Sequence, residues 1–510
     1  MYRALTAQQS RSAEEAAIVT GGMTVLGLMR AAGAALAREV LERVPEGRIV
    51  VLCGRGNNGG DGWVAAHVLR AAGRDVRVVA LAEPGALEGA AADAAAEADI
   101  GGVPWAVGDD GDAVAEDLSG AAVAVDAILG TGASLPLREP VASWCRAMNA
   151  SGAVVISADM PTGVDSDTGA VDEAAVSADC TVTFATAKRG LVLFPGAAHA
   201  GDVVVADIGI APEHWDVPGS PELWTESEYA ALLPLPAPDA HKNSRGRVLV
   251  IAGSGAYPGA AVLAARGAMR MGAGYVTVAV PDTVVRVVQS HLAAAPVVGL
   301  PSSRARSFSS NAASAALDLA HDYDAVVLGP GLTLADGAVA VVRALVRRLA
   351  KPLVIDADGL NALVDAAELV SERSAPTVLT PHPGELARLT GVSPAEVQAD
   401  RVSSSARYAT ATTTVVLKGA GTIISGESRQ VVTTSGSPAL ATAGTGDVLA
   451  GMVGALLAKG MTPLTSGAVA AYVHGKAGEV AASRFTPLCA TAEDLPDCIA
   501  EAVGELLGTW

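Results

Sequence analysis

Residues 48–73 read RIVVLCGRGNNGGDGWVAAHVLRAAG, and the fold follows from how this run is read. RIVVLC (48–53) is apolar, β-branched and of strand length, while VAAHVLRAAG (64–73) is rich in helix formers. Between them Gly54, Gly56 and Gly59 stand in the spacing G-x-G-x-x-G. A strand, a glycine turn and a helix in that order form the first unit of a parallel α/β sheet that grips a dinucleotide. Yet Asn57, Asn58 and Asp61 crowd the same loop. A loop that only docks an intact cofactor has no use for them.

Working outward, the alternation repeats. Apolar runs at 76–82, 121–128, 153–158, 180–185 and 202–208 are predicted strands, with intervals that suit crossover helices. Segment 11–44 predicts helices packed on that sheet. Residues 211–240 change character: APEHWDVPGSPELW and LLPLPAPDAHKNS are rich in Pro and polar residues. Strand signals then restart at 247–254, 275–280, 324–330, 352–358, 377–382 and 413–419. GTIISG and RQVVTT predict a hairpin, and 446–459 and 464–480 predict helices. The expected class is α/β: a Rossmann-like three-layer domain over 1–215, a linker region over 216–240 with a little structure, and a second α/β domain over 241–510. The halves share no obvious repeat.

Composition bounds the function. The 510-residue chain is half apolar and 17% charged, which supplies buried cores and excludes a disordered class. A net charge of −19 and 3% aromatic residues speak against a nucleic-acid footprint or a base-stacking platform. Phosphate-bearing ligands remain open, because amides at helix N-termini hold anions whatever the global charge. The five cysteines, Cys53, Cys145, Cys180, Cys489 and Cys498, make no C-x-x-C pair. Zinc-ribbon and thioredoxin readings therefore fail, and reduced thiols are expected. The N-terminus lacks the apolar core of a secretory signal. The apolar stretch near 439–458 carries Asp447 and several Gly, which suits a loop and buried helix better than a membrane span. A cytoplasmic homo-oligomer acting on small molecules is expected, with no nucleic-acid or membrane partner.

Two further strand ends carry polar residues. VAVDAILGTGASLP (123–136) ends its apolar run at Asp126, and VVISADMPTGVDSDTG (154–169) ends at Asp159, followed by Pro161, Thr162 and Gly163. Ligands of open α/β sheets bind beyond the carboxyl ends of the strands, so three polar strand ends point to one crevice. Each residue alone also suits an ordinary turn. Asn58, Asp126 and Thr162 offer only oxygen, which fits a hard cation rather than zinc. Asp159 is a candidate general base, or a partner for a ligand amide.

NNGGDG, D-x-x-x-GTG and DMPTGVDSDTG together resemble the NAD(P)H-hydrate epimerase family over about 1–212, and GLMRAAG (27–33) fits that family's first helix. The resemblance implies a substrate that is NADH or NADPH damaged by water addition across the nicotinamide ring, with R and S epimers interconverted. It implies contacts from Asn57, Asn58, Gly59, Gly60 and Asp61. It adds Gly130, Thr131, Gly132, Ala133, Ser134, Leu135 and Pro136, with Asp159 catalytic. It also implies K+ at Asn58, Asp126 and Thr162. Thr162 stands where Ser is usual and keeps the hydroxyl; GTGASLPLRE is a variant of the family's run after GTG.

In the second half, AGTGDVLAGMVGALL (443–457) places Asp447 where a Gly-rich turn opens a helix. Amides there cradle phosphate, and the carboxylate can take a proton from a hydroxyl attacking a phosphoryl group. An Asp near a helix start also simply favours the macrodipole. LKGAGTIIS (417–425) puts Lys418 beside a glycine turn suited to a nucleotide. TPHPGELARL (380–389) sets His382 and Glu385 around a Pro-fixed turn, with His382 read as a ligand contact. Asp356 and Asp358, in VIDADGLNAL (354–363), suit buried caps as well as a site.

G-x-G-D, D-A-D-x-x-N and PHPGE resemble the ribokinase-like fold and, more narrowly, the ADP/ATP-dependent NAD(P)H-hydrate dehydratase family over about 222–505. HKNSRGRVLVIAGS matches that family's opening, with Asn243 where Gly is commoner. The resemblance implies that Ala260, Gly331, His382 and catalytic Asp447 contact the hydrate. It implies that Lys418, Gly419, Ala420, Gly421, Thr422 and Gly446 contact the adenine nucleotide, with Mg2+ and with ADP giving AMP and phosphate. The residues themselves do not separate ADP from ATP. Rival readings are a vitamin-type small-molecule kinase fused to a Rossmann-like accessory domain, and a non-catalytic nucleotide-binding scaffold. Asp159, Lys418 and Asp447 stand against the scaffold. An ordinary NAD dehydrogenase fares poorly, because Glu83, at the right distance for a ribose contact, lies in a Pro-containing turn.

Overall fold

A computed structural model describes residues 1–509 and divides the chain into two compact units, one spanning Tyr2–Ser220 and the other running from Pro221 onward. The first unit is built on a seven-stranded parallel sheet. Its order is Trp105–Val107, Val76–Ala80, Ile49–Cys53, Val123–Ala127, Val154–Ala158, Cys180–Phe184, Asp202–Ala206. The chain order reverses between Ile49–Cys53 and Val123–Ala127, which makes the unit a Rossmann-like doubly wound sheet with its switch point there. Both of those strands are buried throughout, as a sheet covered on two faces requires. Ile49, Val51 and Cys53 pack with the helices Val25–Arg43, Asn57–Ala71 and Gly89–Ile100. Val50 and Leu52 pack on the opposite face with Gly111–Leu118 and Val141–Ala150. Trp105–Val107 escaped the sequence reading: it is short, and none of its residues is fully buried.

The quoted glycines are explained by this packing. A Cβ on Gly54 would collide with Ile128 O on the neighbouring chain segment, and one on Gly59 would collide with Gly54 O. The loop thus folds back tightly across the switch point, where a larger residue has no room.

The second unit carries a mixed sheet. Its order is Val297–Leu300, Tyr275–Pro281, Arg247–Ile251, Ala325–Leu328, Leu353–Ile355, Thr377–Leu379, Thr413–Leu417, Ile423–Ser425, Gln430–Val432, Glu222–Leu223. Strands from Val297–Leu300 to Thr413–Leu417 are parallel, and Ile423–Ser425 is antiparallel to both neighbours. The helix Thr445–Ala458 packs on Pro258–Arg270 at close range. A Cβ on Gly451 would strike Ala264 O, and one on Gly267 would strike Val448 O. That contact fixes where the Asp447 end of the helix sits.

Within residues 216–240, Glu222–Leu223 adds a short strand parallel to Gln430–Val432. Glu226–Leu232 follows as a helix opened by a Thr225–Glu228 capping box. Tyr229, 1% exposed, stacks on Tyr472 at 3.8 Å between ring centroids. Glu222 is buried and receives Arg429 through both guanidinium edges, at 2.7 and 2.8 Å. The Pro and polar residues of this stretch mark its turns and this ion pair.

Candidate active sites

In the first unit the three polar strand ends converge at the switch point. The helix Asn57–Ala71 starts at Gly56 with no side-chain cap, and Gly56, Asn57 and Asn58 at this start line the crevice. A cleft of about 550 Å³ is lined on one side by Arg11, Glu14, Ile18, Leu28 and Met29 from the two N-terminal helices. Asn57, Asn58, Asp61, Leu129–Ala133 and Asp159 line the other. Gly59, Gly60, Ser134, Leu135 and Pro136 lie outside this lining. Gly60 is packed against the Met29 side chain instead.

Asp126 is completely buried. Its carboxyl accepts from Thr162 N at 2.8 Å, Thr162 Oγ1 at 2.7 Å, Ser157 Oγ at 2.9 Å and Ile128 N at 3.3 Å. Burial raises its pKa and these donors oppose the rise. Beside it, Asn58 Oδ1 and Nδ2 are both buried without a hydrogen-bond partner. A Cβ on Gly130 would sit 3.3 Å from Asn58 Oδ1, so that loop backbone closes over the amide. An orphaned amide oxygen beside a buried carboxylate and a hydroxyl is a donor set that fits a hard monovalent cation.

Asp159 adopts a left-handed φ of 64°, a conformation Asp tolerates. Its carboxylate accepts from Lys188 Nζ and, at 3.3 Å, from Thr183 Oγ1. Lys188 is 3% exposed and also donates to Thr183 Oγ1 and Phe184 O, both at 3.0 Å. The sequence reading missed Lys188 because TAKRG shows no motif spacing to Asp159; only the sheet joins them. Asp61 lies buried nearby, its pKa raised well above the carboxylate range by burial, then by the charges of Asp159 and Glu14.

In the second unit the expected residues follow the carboxyl edge of the sheet in strand order. Ala260 follows Arg247–Ile251, Gly331 follows Ala325–Leu328, and Asp356 and Asp358 follow Leu353–Ile355. His382 then follows Thr377–Leu379, and Lys418 follows Thr413–Leu417. A Cβ on Gly331 would lie 2.8 Å from Ala260 Cβ, so these two adjoin. Asp358 pins the same loop by accepting from Thr333 N at 2.8 Å, where Thr333 has φ 67°. Asp356, 1% exposed, takes Lys418 Nζ at 2.8 Å and Thr380 Oγ1 at 2.7 Å. Both aspartates left open by the sequence therefore belong to the polar edge.

Asp447 lies in the first turn of Thr445–Ala458, whose N-cap Gly444 has φ 95° and offers no side chain. Burial, then the charges of Asp356, Asp358 and Glu385, push its carboxyl up to about 7 against the pull of Lys418. A Cβ on Gly446 would sit 3.2 Å from Lys418 Nζ, so the lysine reaches the helix start. His382 caps its helix: Nδ1 accepts from Gly384 N at 3.0 Å, while Glu385 accepts from His382 N at 2.8 Å. Among the described residues no three His, Cys, Asp or Glu side chains are spaced to hold a metal. A divalent cation here fits only in the company of phosphate oxygens, the usual habit of Mg2+.

Two supports were not visible in sequence. Buried Arg401 donates to the carbonyls of Leu417 at 3.2 Å, Lys418 at 3.4 Å and Gly421 at 3.2 Å, clamping the turn at 418–421 from below. His474, buried on the helix Pro463–Cys489, meets Thr445 O at 2.9 Å through Nε2.

Residues 25–190 match a family profile described as the YjeF-related protein N-terminus, and residues 248–501 match one described as NAD(P)H-hydrate dehydratase. A bifunctional NAD(P)H-hydrate repair enzyme of Salinibacter ruber is 40% identical, with 99% of this chain and 96% of the relative aligned. One of Pyrobaculum aerophilum is 41% identical over 91% of each chain. The ADP/ATP-dependent NAD(P)H-hydrate dehydratase of Bacillus subtilis, co-crystallised with ATP/Mg2+, is 30% identical with a TM-score of 0.50. It covers 56% of this chain and 98% of its own, and it places the second unit in the ribokinase-like class. Identity of this order across nearly the full length means that the chain belongs to the bifunctional NAD(P)H-hydrate repair enzyme family.

Proposed function

We propose that the first unit interconverts the R and S hydrates of NADH and NADPH and that the second unit dehydrates the S hydrate at the expense of ADP or ATP. The observation that carries this reading is Asp447, a carboxyl at an uncapped helix start beside Lys418 and Asp356, at the open edge of a parallel sheet. Ala260, Gly331 and His382 hold the hydrate, and Lys418–Thr422 with Gly446 hold the nucleotide. That assignment puts hydrate and nucleotide at successive positions along one strand edge, with Asp447 where they meet.

Hydroxide is a poor leaving group, and phosphorylation of the hydrate's hydroxyl makes it a good one. Asp447 takes the hydroxyl proton as oxygen attacks the terminal phosphoryl group; the amides of the helix start stabilise the charge on the transferred oxygens. Phosphate then departs with the C–O electrons, the adjacent carbon loses a proton, and the ring double bond returns. With ADP the balance is hydrate plus ADP to NAD(P)H, AMP and phosphate. Mg2+ bound with the nucleotide neutralises phosphate charge.

In the first unit Asp159 acts at the hydrated carbon, oriented by Lys188. Asn58, Asp126 and Thr162 hold K+, whose charge complements the buried Asp126 carboxylate and the orphaned Asn58 oxygen. The protein works in the cytoplasm as a homo-oligomer. No helix among the described residues is long and apolar enough to cross a membrane.

The test is to supply mixed hydrate epimers with ADP, ATP or neither and follow each epimer by chromatography. Epimerisation without nucleotide, and NAD(P)H recovered only with nucleotide, is the expected result. A stable phosphorylated product would instead favour a vitamin-type kinase.

A further inference from the structure

Epimerisation at the hydrated carbon poses a definite proton problem. Water adds to an enamine double bond with its oxygen on the carbon next to nitrogen, so the stereocentre carries both OH and ring N. The centre inverts if the hydroxyl leaves as water, the nitrogen lone pair forms a planar C=N+ bond, and water returns from the other face. Departure needs a proton donor on one face, and return needs a base on the other. The reverse reaction exchanges the two roles. Two carboxyls on facing walls, one ionised and one protonated, meet this demand.

We infer that Glu14 is the second acid–base group of the epimerase, working across the cleft from Asp159. The inference rests on the epimerase reading above. Glu14 comes from the helix Ala7–Gly21, and Asp159 comes from the strand end after Val154–Ala158; both line the same cleft of about 550 Å³. The cleft is lined by four carboxyls, Glu14, Glu15, Asp61 and Asp159, and the one buried ammonium beside it, Lys188, is engaged by Asp159. The remaining contacts of Lys188 are Thr183 Oγ1 and Phe184 O. Among the described residues no hydrogen bond or ion pair engages the Glu14 carboxyl. The charged groups that act on it are Asp159 and Lys188, carried by the sheet side of the unit, and Arg11 and Glu15 on its own helix. Solvent reaches the side chain, yet crowding of the carboxyl first, and the charge of Asp159 second, raise its pKa, with Lys188 and Arg11 opposing. Asp61 lies in the loop, and burial first, then the charges of Asp159 and Glu14, raise its carboxyl well above the usual value.

The step then balances. Glu14 gives its proton to the departing hydroxyl; the C–O bond breaks, water leaves and C=N+ forms. A water on the Asp159 face attacks, its C–O bond forms as the C=N+ electrons return to nitrogen, and Asp159 takes its proton. The two carboxyls end with the proton exchanged, and solvent restores the first state. The opposite epimer runs the same path backwards.

The experiment uses the full-length protein with purified R hydrate, K+ and no nucleotide, in H2(18)O. Wild type should carry one solvent oxygen into the hydroxyl at each inversion. Glu14→Gln should lower kcat for inversion about a hundredfold or more while leaving KM for the hydrate within about threefold. The unchanged KM for the hydrate reports that the first unit is folded, nucleotide-dependent dehydration of S hydrate by the same sample reports that the second is, and Glu14→Asp should regain part of the rate. Inversion by Glu14→Gln within about threefold of wild type overturns the assignment. Inversion by wild type with the original oxygen retained overturns it too, because that outcome means the ring C–N bond opens instead. Absence of any inversion by wild type would sink the epimerase reading itself, a separate failure.

Discussion

Asp447 shows how one residue's surroundings set a reaction's pH dependence. Its carboxyl is pushed up to about 7 by burial and by Asp356, Asp358 and Glu385. The ionised form, the one able to take a proton, accumulates only above that value. kcat/KM for dehydration should therefore fall about tenfold per pH unit below pH 7 and level off above it, since this parameter reports the free enzyme's groups. Asp447→Asn should abolish dehydration yet leave epimerisation; retained dehydration in that variant would remove the residue from its role. The motif around Asp447 was legible because a Gly-rich turn opening a helix is local in sequence. Lys188 and Glu14 were not legible. Lys188 bonds Asp159, and Glu14 shares its cleft, only because the fold brings residues 29 and 145 positions away to one crevice, and no spacing rule spans such gaps. The opening loop lies between these cases: its glycines read as a tight turn and Asn58 as an oxygen ligand, while the fold adds that the Asn58 amide is buried without a hydrogen-bond partner.

At the scale of elements, the site depends on supports that carry no motif. Arg401 holds three carbonyls of the 417–421 segment from the buried side. Arg401→Met keeps the volume but leaves those acceptors unmatched, at about 1–3 kcal/mol for each buried group. The turn should loosen, and KM for ADP should rise about tenfold or more with KM for the hydrate little changed, measured by initial rates against each substrate; the ~1.4 kcal/mol that tenfold implies is within that cost. His474 supports the start of the Asp447 helix by donating to Thr445 O. Burial pushes its pKa down to about 4, whereas the unfolded chain's histidine titrates near 6.5. The folded state thus binds this proton less tightly. The stability is present above about 6.5 and is lost as pH falls toward 4, by about 3 kcal/mol in all. His474→Gln keeps a donor for Thr445 O and cannot take up a proton, so urea midpoints at pH 7 and 4.5 should differ less for the variant than for wild type. The strands behind these supports were readable as apolar runs of β-branched residues. The edge strand Val297–Leu300 was not, since an edge buries too little and leaves a weak hydrophobic signal, and neither was Glu222–Leu223, which is two residues long and includes a buried, ion-paired glutamate.

At the scale of the whole molecule, two activities in one chain make a prediction that neither unit makes alone. Water addition that produces both epimers gives a mixture of which the second unit accepts only S. Asp159→Asn, which removes the epimerase base and leaves the second unit intact, should convert the S portion of an equal mixture at the wild-type rate and then slow to the uncatalysed epimerisation rate. Asp447→Asn should do the reverse, bringing the two epimers to equilibrium while forming no NAD(P)H. Mixing the two variants should restore complete conversion, because the hydrate released by one protein is free to diffuse to the other. The progress curve, followed at the reduced-nicotinamide absorbance with ADP in excess, checks all three. Its shape separates the possibilities: a burst to about half of the total and a slow tail for Asp159→Asn, no burst for Asp447→Asn, and a single sustained phase for the mixture. A curve for Asp159→Asn that runs to completion without slowing would mean that the second unit accepts both epimers, and the pairing of the two domains would then need another explanation.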